Sequence, residues 1–165
     1  MPVYLFTLHA YGSWLPNHRR GYTRRREGIL PTDPNMAACY QSKMTQDTAR
    51  FDDVAQQIIV SAVQEKAAIK QWSAHAIATD PTHAHILLSW EQPTDWLLVR
   101  RGLKASLTRA LSEQAGKRHW LSEGGSRKRI KDQTHFDHLI QAYLPSHRGL
   151  LWINPKHQPR QRNPK

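Results

Sequence analysis

The feature that most constrains the fold is a pair of strand-like runs with only three residues between them. Residues 72–79 (WSAHAIAT) and 83–90 (HAHILLSW) are short, apolar and bounded by turn residues. Asp80, Pro81 and Thr82 lie between them and have the composition of a tight turn. A parallel crossover needs a dozen or more residues, so the two runs must be antiparallel neighbours. A two-stranded hairpin is marginal by itself in water, so the rest of the chain has to extend the sheet and cover it.

The flanking segments supply that material. Residues 3–8 (VYLFTL) are β-branched, aromatic and leucine-rich and read as a strand. Residues 52–70 have helical spacing, with Val54, Ile58 and Ala62 on one face and Ala55, Ile59 and Val63 beside it. Thr94 or Asp95 can cap a helix running to about residue 114, and Gly116 ends it. Its apolar positions, Val99, Leu103, Leu107 and Leu111, recur every four residues. Gly124 and Gly125 open an extended stretch over 126–131. Thr134 to Asp137 resembles a capping box and predicts a helix through Leu139, Ile140 and Tyr143. The order strand, helix, strand, strand, helix, strand, helix predicts a ferredoxin-like α+β domain over residues 1–150: a mostly antiparallel sheet with helices packed on it. Residues 11–50 lack a sustained period and read as a long basic excursion, and 151–165 as a basic, Pro-rich, flexible tail.

Charge narrows the partners. Lys and Arg number 24 against 13 acids, for a formal charge of +11. Such an excess favours a polyanion, because neutralising phosphates releases condensed counterions. Six Trp and five Tyr are potential stacking platforms for unpaired bases, although most must serve the core. Cys39 is the lone cysteine, which excludes an internal disulfide and a cysteine-based zinc site. No apolar run could span a bilayer and the first residues do not read as a secretory signal, so the expected location is the cytoplasm.

The chemistry centres on His83-Ala84-His85. Residues i and i+2 of a strand share a face, so two imidazoles can converge on one ion while Ala84 points into the opposite layer. Spacing alone fits two strand histidines without a ligand equally well. Downstream, Tyr143 and His147 stand four apart and would share a helical face.

With these residues in view, the chain resembles the HUH transposases with one catalytic tyrosine, of the insertion-sequence and REP-associated kinds. The matching segments are DPTHAHILLSW, LKASLTRALSEQAG, WLSEGGS and AYLPSHRG, in the family's order, and GSWLPNHRRGYTRR resembles one divergent branch. The resemblance implies that His83 and His85 bind a divalent ion, Mg2+ or Mn2+, and that Tyr143 is the nucleophile. It places His147 where the family commonly has Gln or Asn as the third ligand. Pro145 departs from the family pattern and interrupts a regular helix between Tyr143 and His147, which leaves His138 as a less apt substitute. The implied activity is nicking and transfer of single-stranded or hairpin DNA through a 5′-phosphotyrosine, by a monomer or a homodimer. The candidate DNA contacts are Arg24, Arg25, Arg26, Arg100, Arg101, Lys104, Arg127, Lys128 and Arg129, each of which equally suits a solvated basic face. The rival readings are a catalytically silent protein that binds DNA or RNA hairpins and a metal-dependent hydrolase that forms no adduct. A zinc nucleobase deaminase is disfavoured because it needs cysteine ligands and a glutamate beside the histidine.

Overall fold

The computed structural model describes residues 1–24 and 28–157. The hairpin forms as the turn dictates: β4 (Ser73–Asp80) pairs antiparallel with β5 (His83–Ser89). Strand β1 (Val3–His9) lies on the other side of β5, also antiparallel. Strand β6 (Ser126–Arg129) pairs with β1 at one edge, and β7 (Leu151–Ile153) pairs with β4 at the other. The five strands run in the order β6-β1-β5-β4-β7, all antiparallel. Without β7 this is the ferredoxin-like order that the sequence predicts.

Two helices cover one face. Helix α2 (Asp53–Lys70) starts where Asp52 accepts a hydrogen bond from the Ala55 amide at 2.8 Å. Helix α3 (Trp96–Ala115) starts on Asp95, which accepts from the Leu97 amide at 2.7 Å, so Asp95 rather than Thr94 is the cap. Ile58, Ile59, Ala62 and Val63 of α2 and Val99, Leu103, Leu107 and Leu111 of α3 pack on Phe6, Leu8, Ile77, Ala84, Ile86 and Leu88 of the sheet. Trp90 and Trp120 are buried in this layer. Val54, assigned by period to the buried face of α2, is 56% exposed. The buried stripe of α2 runs through Ala55, Ile59, Ala62 and Val63, and Val54 sits beside it facing solvent.

The opposite face carries the chain after β6. Leu139, Ile140 and Leu144 pack on Leu5, Ala76, Ala78 and Leu87. This segment is not the single helix expected. Helix α4 (Gln133–His138) passes into a π-turn (Leu139–Tyr143) and then a 3-10 turn (Leu144–Ser146). Its cap is Asp132, which accepts from the His135 amide at 2.8 Å, and not Thr134. An Asp one residue before the first turn outcompetes the Thr that the motif suggested.

The two ends of the domain also differ from expectation. The excursion holds a two-stranded ribbon, β2 (Tyr22–Arg24) with β3 (Gly28–Leu30), and helix α1 (Pro34–Ser42) capped by Asp33. Leu151–Ile153, expected in a flexible tail, completes the sheet, with Trp152 packed on the core. The edge of β4 offers unpaired backbone groups, and the short apolar run Leu151-Trp152-Ile153 pairs with them before the polar, Pro-rich stretch begins at Asn154. Residues 158–165 of that tail lie outside the described residues.

Candidate active site

Strand register builds the site. His83 and His85 project from the start of β5 toward the C-terminal segment, while Ala84 is 1% exposed in the helical layer. On β1, His9 stands opposite His83 and Thr7 opposite His85. On β4, Asp80 stands opposite His83. The two motif imidazoles have their ring centres 4.8 Å apart.

The irregular turn after α4 brings up the other two groups. A π-turn is wider than an α-turn and commonly marks a functional position. The 3-10 turn containing Pro145 then lets the chain leave in an extended conformation at His147. The His147 ring lies 4.5 Å from that of His85 and 5.5 Å from that of His83. Ligand nitrogens of His83, His85 and His147 all lie within 4.8 Å of one another. Tyr143 Oη is 3.3 Å from His85 Nε2, and its side chain is 38% exposed. Tyr143 and His147 therefore converge without the regular helix that their spacing suggested. His138 is not among the converging residues.

Each imidazole is held through its other nitrogen. Thr7 Oγ1 lies 2.8 Å from His85 Nδ1, and Thr82 Oγ1 lies 3.0 Å from His83 Nδ1. His147 Nδ1 lies 3.1 Å from the carbonyls of Tyr143 and Leu144, to which it can only donate. With Nδ1 engaged in all three, Nε2 is the nitrogen left to face an ion, and such partners fix ring orientation in metal sites. Burial also favours the neutral, ligating form. It pushes His85 down to about 3, aided by His83, His147 and His9. It lowers His83 too, against the opposing pull of Asp80 at 3.7 Å, with smaller lowering from His147 and Arg20. A three-imidazole set with fixed rings thus fits a divalent cation. Burial raises the Tyr143 phenol above its ordinary value, and the Arg20 charge pulls it partly back.

The basic residues divide into different roles. Arg100 donates to the Gly125 carbonyl, and Lys104 Nζ donates to the Ser122 and Gly124 carbonyls at 2.6 and 3.1 Å. These two, expected to contact DNA, fasten the Gly124-Gly125 turn to α3. At Gly125 a Cβ would come within 2.8 Å of a Leu8 methyl, so the turn packs closely on β1. Arg127, Lys128 and Arg129 are exposed along the edge strand β6, and the Arg127 guanidinium lies 4.0 Å above the Trp96 ring. Arg101 is exposed on α3. Arg24 ends β2, while Arg25 and Arg26 lie outside the described residues.

Three residues escaped the sequence reading: Thr7, His9 and Thr82. Thr7 and His9 are two apart on β1, a signal visible in the sequence, but only the β1–β5 register joins them to the motif histidines.

No protein-family model matches the chain, and a search of curated proteins finds no match. Solved structures do match. A REP-associated tyrosine transposase bound to a REP hairpin aligns with 83% of this chain at TM-score 0.50 and 13% identity. This chain spans 61% of the length of that protein. A candidate transposase from Deinococcus radiodurans R1 aligns with 90% of this chain and 92% of its own, at TM-score 0.48 and 13% identity. The α+β fold of this chain is therefore shared with a REP-associated tyrosine transposase. Among the described residues no helix is long and apolar enough to cross a membrane.

Proposed function

We propose that this chain is a metal-dependent single-strand DNA endonuclease and strand transferase of the single-tyrosine HUH type, acting on hairpin-containing DNA through a 5′-phosphotyrosine. The observation that carries this reading is the convergence of a half-exposed phenol on three imidazoles: Tyr143 Oη stands 3.3 Å from His85 Nε2, within a histidine cluster that fits a divalent ion. A core tyrosine would have no reason to face metal ligands and solvent together.

His83, His85 and His147 hold the ion, with Mn2+ or Mg2+ as the working metal. Imidazoles alone favour Zn2+ or Mn2+ over Mg2+, and phosphate and water oxygens complete a shell that Mg2+ also accepts. When bound, the ion supplies Lewis-acid polarisation of a phosphoryl oxygen and favours phenolate. Tyr143 Oη then attacks phosphorus in line: the Oη–P bond forms, the P–O3′ bond breaks, and a free 3′-hydroxyl leaves. The phosphotyrosine conserves the linkage, so strands rejoin without ATP. The net charge of +11 and the exposed Arg127, Lys128 and Arg129 support a nucleic-acid partner. The fold shared with a transposase solved on a REP hairpin supports hairpin DNA as that partner.

The test is covalent adduct formation with a labelled single-stranded hairpin library and Mn2+, comparing wild type with Tyr143→Phe. A metal-dependent adduct lost in the variant is expected. Tight, salt-sensitive binding with neither adduct nor cleavage would replace this reading with a silent hairpin-binding protein. Cleavage that survives in Tyr143→Phe would replace it with a hydrolase.

A further inference from the structure

A second cluster of rings lies at the far end of the sheet from His83, His85 and His147. His83 opens β5 and Ser89 closes it, six residues on, or roughly 20 Å at the rise of a strand. There Ser89 Oγ lies 2.7 Å from His75 Nε2, and His75 Nδ1 lies 2.9 Å from His157 Nε2. With both nitrogens engaged, the His75 ring is fixed. Burial and the neighbouring His157 hold it down to about 4, so it is uncharged at neutral pH. His157 Nδ1 has no hydrogen-bond partner among the described residues. Phe136 of α4 completes the group. Its ring centre is 5.2 Å from those of both His75 and His157, and the two imidazoles are 5.0 Å apart.

These rings line a hollow of about 430 Å³, a size that suits a small organic group. Val3 and Ile130, packed on the sheet face like Phe136, give it an apolar floor. Arg129 and Lys131 stand on its rim. Both are exposed, and among the described residues neither is paired with a carboxylate. Asp132, also on the rim, is engaged in capping α4. Flat rings, one free imidazole nitrogen and two unneutralised cations match the parts of an unpaired nucleotide: a base face, a polar base edge and a phosphate. An acidic peptide would satisfy the cations but would leave the rings without a flat partner.

The hollow is also joined to the candidate active site. Strand β6 runs along the sheet edge from Ser126, opposite the Thr7 that holds His85, to Arg129, opposite Tyr4. The Ile130 amide donates to the Val3 carbonyl at 2.9 Å and carries the pairing on to the hollow. Arg127, Lys128 and Arg129 are exposed along this edge. A single strand that lies on β6 with one phosphate at Tyr143 therefore passes the hollow. At about 3.4 Å per stacked nucleotide, the separation corresponds to about six nucleotides, and to fewer in a stretched strand.

Resting on the nuclease reading above, we infer that this hollow is a nucleobase pocket: it receives one unpaired base of the substrate strand, stacked against Phe136 and His157, with the adjoining phosphate on Arg129 and Lys131. His157 Nδ1 addresses the edge of that base. The Ser89–His75–His157 chain sets the angle of the imidazole, so His75 is a positioning residue here.

The test has a binding arm and a strand arm, both in the full chain with Mg2+. In the first, each of the four deoxynucleoside 5′-monophosphates is titrated while the Phe136 ring and His157 imidazole resonances are followed, with deoxyribose 5-phosphate as the probe lacking a base. At least one mononucleotide should shift both resonances and bind more tightly than deoxyribose 5-phosphate. Phe136→Leu should weaken it by roughly 5-fold to 150-fold, the worth of one stacked base. His157→Ala, at the rim, should weaken it as well and keeps the test decisive if Phe136→Leu misfolds. Deoxyribose 5-phosphate bound as tightly as every mononucleotide, or mononucleotides that leave both resonances unmoved, would overturn the pocket. In the strand arm, abasic sites are walked through a cleavable hairpin oligonucleotide. One position within about six nucleotides of the cleaved phosphate should slow adduct formation in wild type and have little effect in His157→Ala. A scan with no such position, despite mononucleotide binding, would overturn the assignment to the substrate strand in favour of a free nucleotide. Mononucleotide binding in the pocket with no adduct from any hairpin would overturn the nuclease reading and uphold the pocket as a base-binding site.

Discussion

Thr7→Val separates a metal site from a mere cluster of histidines. Thr7 Oγ1 is the only partner of His85 Nδ1 among the described residues, at 2.8 Å, and His85 is 5% exposed. Valine nearly reproduces the shape of threonine, so packing changes little. With Nε2 on the ion, Nδ1 carries the proton, and removing its acceptor leaves a buried donor unpaired. That costs about 1–3 kcal/mol. An outer partner of this kind is worth about 10-fold to 100-fold in metal affinity. Those factors correspond to roughly 1.4–2.8 kcal/mol, so the two estimates agree. Calorimetric titration with Mn2+ near neutral pH should show that loss, and imidazole 15N shifts should show His85 redistributing between tautomers. Affinity within about twofold of wild type, with His85 still protonated at Nδ1, would refute the idea that Thr7 orients a ligand.

Other perturbations probe the rest of the site. Gly149→Ala would place a Cβ 2.2 Å from both the Thr79 carbonyl oxygen and Gln56 Oε1, two residues after His147. Urea unfolding should show a loss of about 1–3 kcal/mol, and Mn2+ affinity should fall as His147 is displaced; a stability equal to wild type would contradict the close approach. Saturating Mn2+, at about 100 times its Kd, should add about 2.7 kcal/mol. For a chain of this size that is a rise in Tm of roughly 5–11 °C, reversed by chelator and absent in His83→Ala/His85→Ala. Stability should also fall in acid. His75 is held down to about 4 by burial and by His157, with which its Nδ1 shares a 2.9 Å hydrogen bond. Because the unfolded chain binds the proton first, this contribution is complete above about pH 6.5 and is lost as pH falls toward 4. Partial solvent exposure of His75 limits it to about 1–2 kcal/mol. Urea midpoints measured from pH 7 to 4.5 should decline, and His75→Gln should flatten part of that slope.

Much of this architecture is legible in local chemistry. The DPT turn between two apolar runs dictates the central hairpin, because three residues permit no crossover. Four-residue spacing identifies the buried stripe of α3, and Asp52 and Asp95 mark where helices can begin because their carboxylates accept otherwise unpaired amides. The i, i+2 rule puts His83 and His85 on one face and Ala84 on the other. Tertiary structure decides what periodicity does not encode. Leu151, Trp152 and Ile153 suit a strand, but a three-residue run at the head of a polar, Pro-rich stretch does not declare one by itself; the unpaired edge of β4 makes it one. The π-turn and 3-10 turn over 139–146 depart from the regular helix because Leu139, Ile140 and Leu144 must fit the sheet face while Pro145 forbids a helical amide bond. That departure is what carries His147 to His85. Thr7 and His9 join the site only through strand register. Sequence by itself determines which side chains are available and which local faces they occupy. Which faces meet is a matter of long-range burial and backbone pairing, interactions between residues far apart along the chain.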